Sequence, residues 1–368
     1  MSSSVNSRLF TAVKVGSVNL AHRIVLAPLT RFRANSAHVH EDLAIEYYAQ
    51  RASVPGTLLI TEATLISRYA GNYPNVPGIW NEDQIKAWKK IVDAVHAKGS
   101  YIFVQLWALG RTANHDDLKA EELNLTYVAP SAIQLTDRPF PPRALTVNEI
   151  KEYQRSYVAA AENAIRAGFD GVELHSANGY LPDQFLQDVS NKRVDEYGGS
   201  IENRARFSLE ILEGIVNAIG AEKTGIRLSP WSEFNDMRME NPKPTFTYLV
   251  NKISEKHPNL AYLHLVEPRA EGNTDRVVRP GESNDFLRDI WAPRPFISAG
   301  GFTRELALEH ADKTGDLVAF GRSYISNPDL PLRVREDIPF TPSDRNTYYT
   351  PESPVGYIDY PFADSAAD

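Results

Sequence analysis

Eight short β-rich runs, each followed by a longer amphipathic stretch, set the strongest limit on what this chain can fold into. The runs are "RIVLAP" (23–28), "GTLLITEA" (56–63), "YIFVQLW" (101–107), "GVELH" (171–175), "TGIRLSP" (224–230), "YLHLVEP" (262–268), "PFISAG" (295–300) and "DLVAFGR" (316–322). Strands separated by helix-sized intervals belong to parallel sheets covered by helices, because a parallel pair needs a crossover connection. The intervals carry the helical period. "EDQIKAWKKIVDAVHAKG" puts Ile85, Trp88, Ile91, Val92 and Val95 on one face and ends at Gly99, suited to a left-handed cap. Thr146 and Glu149 form a T-x-x-E capping box ahead of a helix with Ile150, Tyr153, Tyr157, Ala161 and Ile165 inward, ended near Gly168. Ser200 caps a third helix, with Phe207, Ile211, Ile215 and Ile219 inward and Gly220 beyond. No linker of domain scale interrupts the pattern. The expected fold is α/β, a single (β/α)8 TIM barrel over about 23–338 with a C-terminal tail, 339–368, packed on it. Two doubly wound domains are the alternative.

Composition narrows the function. The 368 residues are 42% hydrophobic and 23% charged, with a net charge of -8. An acidic balance disfavours nucleic acid, and no basic run marks a membrane face. Small molecules are the expected partners. The chain has no cysteine, so disulfides, thiolate zinc sites and cysteine redox chemistry are excluded. Any redox chemistry must come from a cofactor. The opening "MSSSVNSRLF" has no apolar signal core, the closing "SAAD" is not a usual peroxisomal signal, and no apolar run reaches the ~18 residues of a membrane span. The expected location is cytoplasmic.

A barrel of this kind builds its site at the C-terminal strand ends. Polar residues expected there are Thr30, Glu62, Gln105, His175, Arg227 and Arg322. Three long segments, 108–145, 231–245 and 268–284, are expected to form lids or rims. Gly300-Gly301 and Gly321-Arg322 follow the last two strands, where backbone N–H groups and an arginine fork suit a phosphate; two tight turns are the plainer reading. A G-x-G-x-x-G fingerprint is absent, so a nicotinamide would bind only transiently in the open site. Thr30, Gln105 and Arg227 suit a planar heterocycle, or else a structural polar cluster in the barrel mouth.

The run "GVELHSANGYL" (171–181) takes a buried strand straight into His175, Asn178 and Tyr180. With no cysteine and no acidic partner at ligand spacing, a metal site is poorly supported and none is expected. Two neutral donors aimed at one oxygen would stabilise charge developing on a carbonyl or nitro group. A phenol, with an ordinary pKa of about 10, keeps its proton at neutral pH and can give it to a carbanion. The set suits addition across a polarised double bond. His38 and His40 in "AHVH" are expected to be solvated or part of a rim, and His264 to be a satisfied barrel residue.

"HSANGYL" followed by "DQFL", together with "NKRVDEYGGSIENRARF", "APLTRFRA", "FVQLW", "HLVEP" and "FGRSYISNPDLP", resembles the Old Yellow Enzyme family of FMN-dependent ene-reductases, closest to its fungal branch. The resemblance runs from about Leu9 to Phe362. It implies non-covalent FMN, with NADPH as reductant and NADH possible, in a monomer or homodimer. Thr30 and the backbone N–H of Ala63 would meet flavin O4, and Gln105 and Arg227 the pyrimidine edge. Gly300, Gly301, Gly321 and Arg322 would hold the phosphate, and Pro28 and Leu29 would line the ring. His175 and Asn178 would bind the oxygen of an enone, enal or nitroalkene, Tyr180 would protonate the α-carbon, and Tyr73, Trp107 and Tyr349 would line the substrate pocket. The implied mechanism is ping-pong, with hydride passing from flavin to the β-carbon. Some relatives carry histidine where this chain has Asn178, and glycine is common where it has Ala63. A lyase or aldolase acting on a phosphorylated substrate is the competing enzyme reading, though no lysine sits at the strand ends. A non-catalytic flavin- or ligand-binding protein is the third.

Overall fold

In the computed structural model, which describes residues 6–120 and 125–363, eight parallel strands close into a barrel. They are β1 (Ile24–Leu26), β2 (Leu58–Leu65), β3 (Tyr101–Trp107), β4 (Gly171–Ser176), β5 (Thr224–Leu228), β6 (Tyr262–Val266), β7 (Phe296–Ala299) and β8 (Leu317–Phe320). Each is one of the eight apolar runs, and β8 pairs with β1 to complete the ring. The terminal residues carrying the targeting expectation, 1–5 and 364–368, and residues 121–124 of the long segment after β3, lie outside the described residues.

The helices follow the capping chemistry. Thr146 and Glu149 make the reciprocal capping box of helix Val147–Arg166, and Ser200 caps Ile201–Ile219, which ends at Gly220 with φ 93°. Helix Glu82–His96 is capped by Asn81 and Gln84, and it ends three residues short of Gly99. The expected inward residues are buried, except that Ile165 and Ile219, at helix ends, are only partly so. No helix among the described residues is long and apolar enough to cross a membrane.

Inside the barrel, Val25, Leu58, Ile60, Phe103, Tyr262 and Ile297 fill one apolar cluster. Val15, Val18 and Leu20, from a hairpin of strands Val13–Val15 and Val18–Leu20, join that cluster and plug the N-terminal end. What remains open is the C-terminal end. There a second device shapes the rim: buried Arg31, Arg33 and Arg51 clasp the C-terminal tail through its main chain. Arg33 donates to the carbonyls of Thr347, Tyr348, Ser353 and Val355 at 2.8–3.0 Å, Arg31 to that of Gly356 at 2.7 Å, and Arg51 to that of Tyr357 at 3.2 Å. Tyr47 stacks on Tyr357 with ring centroids 4.1 Å apart.

Candidate active site

A cavity of about 370 Å³ occupies the open end of the barrel. Its lining includes Pro28, Leu29 and Thr30 after β1, Ala63, Gln105 and Trp107 on β2 and β3, and His175 and Arg227 on β4 and β5. Asn178, Tyr180, Gly300, Gly301, Gly321 and Arg322 line it from the loops that follow β4, β7 and β8, with Tyr73 and Tyr349 from farther along the chain. Sixteen residues singled out in the sequence thus share one space.

The turn carrying Asn178 and Tyr180 is wired from several sides. Asn178 has φ 57°, in the left-handed region that asparagine tolerates better than most residues. Its backbone N–H donates to Ser229 Oγ at 2.7 Å, and its carbonyl accepts from Asn235 Nδ2 at 2.8 Å. Gly179 donates to Asp183 Oδ2 at 2.9 Å and accepts from Gln184 Nε2 at 2.7 Å. These bonds fix a backbone conformation that would otherwise cost energy.

Tyr180 meets His175 and Trp107 edge to face, with ring centroids 4.8 and 5.0 Å away. Trp107 in turn meets Tyr73, whose hydroxyl donates to the Thr112 carbonyl at 2.8 Å. Burial, with Tyr73 and Tyr349 nearby, pushes the Tyr180 phenol well above its ordinary value. Burial, then the Arg227 cation and His264, hold His175 well below the usual histidine range, so its imidazole is neutral at pH 7. A neutral imidazole and a protonated phenol are both hydrogen-bond donors.

Four buried polar atoms without a protein partner belong to cavity residues: Trp107 Nε1, His175 Nδ1, Asn178 Oδ1 and Arg227 Nε. Buried polar atoms are ordinarily satisfied, so their concentration in one cavity marks a place built for a polar ligand. The glycine pair serves another part of it. Gly300 and Gly301 have φ 121° and 61°, and a Cβ at Gly300 would stand 2.6 Å from that of Ala270. Only glycine keeps that stretch of backbone open.

Several expectations are corrected. Glu62 is absent from the cavity lining. A register irregularity between Ile60 and Ala63 turns Ala63 inward and Glu62 outward, where it accepts from the Arg31 backbone at 3.2 Å and approaches His40 at 3.4 Å. His38 and His40 are buried, not solvated. His38 Nδ1 lies 2.7 Å from the Val76 carbonyl, and His40 packs edge-on against Trp88. His264 is only half satisfied: Nδ1 meets Glu173, while Nε2 has no partner. The described residues of segment 108–145 contribute none of the lining, and Thr112 instead backs Tyr73, whereas the other two long segments do line the cavity. Sequence reasoning passed over Phe32, Phe234, Asn235, Asn273 and Asp275. Phe32 has φ 56° and packs against Tyr73 and Tyr349; a bulky residue in that conformation carries no periodic signal. Asn273 donates to Tyr349 Oη at 3.1 Å, and Asp275 pairs with Arg322.

The comparisons bear on the family and the fold. Residues 8–340 match the model of the NADH:flavin oxidoreductase / NADH oxidase family. A chanoclavine-I aldehyde reductase, fgaOx3, of Penicillium roqueforti is 52% identical, over 97% of each chain. An NADP-dependent oxidoreductase, lnbE, of Aspergillus flavus is 49% identical, over 98% of each. The crystal structure of Old Yellow Enzyme from Pichia sp. superposes with a TM-score of 0.90 at 38% identity, covering 98% of this chain and 95% of that one. The barrel, the flavin-family match and these relatives together make this chain an oxidoreductase of the NADH:flavin oxidoreductase / NADH oxidase family, the family of the Old Yellow Enzymes.

Proposed function

We propose that this chain is an FMN-dependent ene-reductase that uses NADPH, or NADH, to reduce the activated C=C bond of an enone, enal or nitroalkene. The observation that carries the reading is that His175, Asn178 and the protonated Tyr180 phenol line one cavity, with the buried His175 Nδ1 left without a protein partner. The name of the A. flavus relative supports NADPH as the reductant.

The residues present fit FMN. The unpartnered Arg227 Nε and the Gln105 amide offer hydrogen bonds to a heterocycle edge, with Thr30 and the Ala63 backbone farther along the cavity wall. Pro28 and Leu29 would line the ring, and Gly300, Gly301, Gly321 and Arg322 would hold the phosphate. When bound, FMN supplies the hydride chemistry that no side chain here can perform.

The chain's own work is to bind, polarise and protonate. His175 and Asn178 would donate to the substrate's carbonyl or nitro oxygen, drawing electron density from the double bond and leaving the β-carbon electrophilic. Asn178 supplies its Nδ2 donor by amide orientation, which the ligand sets. Tyr180 would place its proton on the α-carbon as negative charge develops there. Its depressed acidity keeps that proton in place until then. Trp107, Tyr73 and Tyr349 would confine the substrate between these donors and the ring and exclude water. The barrel and its clasped tail would act as one FMN-binding unit.

The test is the anaerobic visible spectrum before and after NADPH, then after 2-cyclohexenone. A flavin spectrum bleached by NADPH and restored by the enone supports the reading. A bleached spectrum that the enone fails to restore removes ene-reduction, and protein that neither carries nor takes up FMN removes the flavin.

A further inference from the structure

Beneath the cavity, the barrel holds a carboxylate that the reaction does not use. Glu173 on β4 is fully buried, one residue-pair across from Gln105 on β3. Its Oε1 accepts from Gln105 Nε2 at 2.7 Å, and its Oε2 lies 2.7 Å from His264 Nδ1. Gln105 and His264 are buried to the same degree.

Two facts fix the direction of these bonds. A carboxylate flanked by the Arg227 cation and the His264 imidazole stays ionised, and burial alone fails to raise it. An ionised carboxylate only accepts, so Gln105 must turn an N–H toward it. The flipped amide would set two oxygens against each other at hydrogen-bond distance in a dry interior, which is strongly unfavourable. The amide oxygen of Gln105 is thereby left without a protein donor among the described residues, in a side chain that lines the cavity.

We propose that Glu173 is a positioning residue that locks Gln105 with its amide oxygen available to the cavity, so that this wall selects a heterocycle presenting a ring N–H. Arg227, two strands away, supplies the donor for a carbonyl oxygen flanking that N–H. The inference rests on the flavin reading above, because the imide edge of an isoalloxazine is a ring N–H between two carbonyls. Glu173 touches neither the ring nor the substrate; it acts through Gln105.

The test compares the affinity of the apoprotein for FMN and for FMN methylated at N3, both read by quenching of flavin fluorescence. Wild-type protein should prefer FMN by about 10- to 100-fold, the cost of leaving a buried acceptor unpaired. In Glu173→Gln the neutral amide can turn its own N–H toward Gln105, which frees the Gln105 amide to rotate. FMN affinity should then fall while that of the methylated flavin stays within about twofold, collapsing the preference. In a Gln105→Leu background the same Glu173 substitution should leave the preference unchanged, since positions that act through one contact are not additive.

An undiminished preference in Glu173→Gln overturns the proposal. So does an equal loss for both flavins, which is the mark of a structural residue alone. If Glu173→Gln does not fold, Glu173→Asp, whose shorter carboxylate withdraws from Gln105, takes its place: a retained preference overturns the proposal, and a lost one with the methylated flavin still bound supports it. Wild-type protein that binds neither flavin would overturn the flavin reading itself, an outcome distinct from all of these.

Discussion

The Asp183 carboxylate accepts the backbone N–H of Gly179 at 2.9 Å, beneath the turn that presents Asn178 and Tyr180 to the cavity. Its other oxygen accepts from Gln187 Nε2 at 2.9 Å. Burial nevertheless dominates and pushes the Asp183 carboxyl up to about 7. The unfolded chain gives up this proton near pH 4 while the folded chain keeps it to about pH 7, so stability falls as pH rises through that window. The integrated loss is on the order of 4 kcal/mol. Asp183→Asn stays neutral throughout, so its melting temperature relative to wild type should climb between pH 4.5 and 8. A difference that does not change with pH would show that Asp183 is ionised in the folded protein at every pH tested.

Replacing Tyr180 by Phe removes the proton donor and keeps the edge contacts with His175 and Trp107. Stopped-flow absorbance should show flavin reduction by NADPH unchanged within about twofold and reoxidation by an enone slowed by about 10²- to 10⁴-fold. Equal slowing of both half-reactions would reassign Tyr180 to cofactor or reductant binding.

Asn178→Ala removes half of the donor pair for the substrate oxygen. Phenol, monitored through the flavin absorbance, should bind about 10-fold more weakly. Because His175 is held neutral far below pH 6.5, the remaining affinity should not change between pH 6 and 8. A break in that range would place a titrating imidazole in the site.

His22, at the opposite end of the molecule, contributes to acid sensitivity. Nε2 lies 3.0 Å from Thr57 Oγ1 and Nδ1 accepts the Ile24 N–H at 3.2 Å. Burial, then the charge of Arg335, lowers its pKa to about 4. The unfolded chain takes up a proton near pH 6.5 and the folded chain only near 4, so stability is full above pH 6.5 and drains as pH falls between those values. The loss is up to about 3 kcal/mol. Urea denaturation of His22→Gln should show a smaller decline from pH 7 to 4.5 than wild type, and parallel declines would place the acid sensitivity elsewhere.

What the sequence discloses follows the physics of each element. Strands buried on both faces are mostly apolar, so all eight barrel strands stand out, and Thr146 and Ser200 announce their helices because capping depends on nearest neighbours. The residues of β3, β4 and β5 that reach the cavity follow from strand position alone. Glu62 fails that logic because one bulge reverses the alternation. The burial of His38 and His40 depends on Val76, Trp88 and Glu62, which are far away in sequence. Asn273 and Asp275 sit on a hairpin over the cavity, and its contacts with Tyr349 and Arg322 are between loops that no local pattern links.

In the clasp on the tail, Arg31, Arg33 and Arg51 grip carbonyl oxygens, a feature that every residue type shares, so these hydrogen bonds place no demand on the Tyr349 side chain. Tyr349 rides on that strand of main chain into the cavity wall. A substitution at Tyr349 can therefore rewrite this side of the substrate chamber without dismantling its fastening.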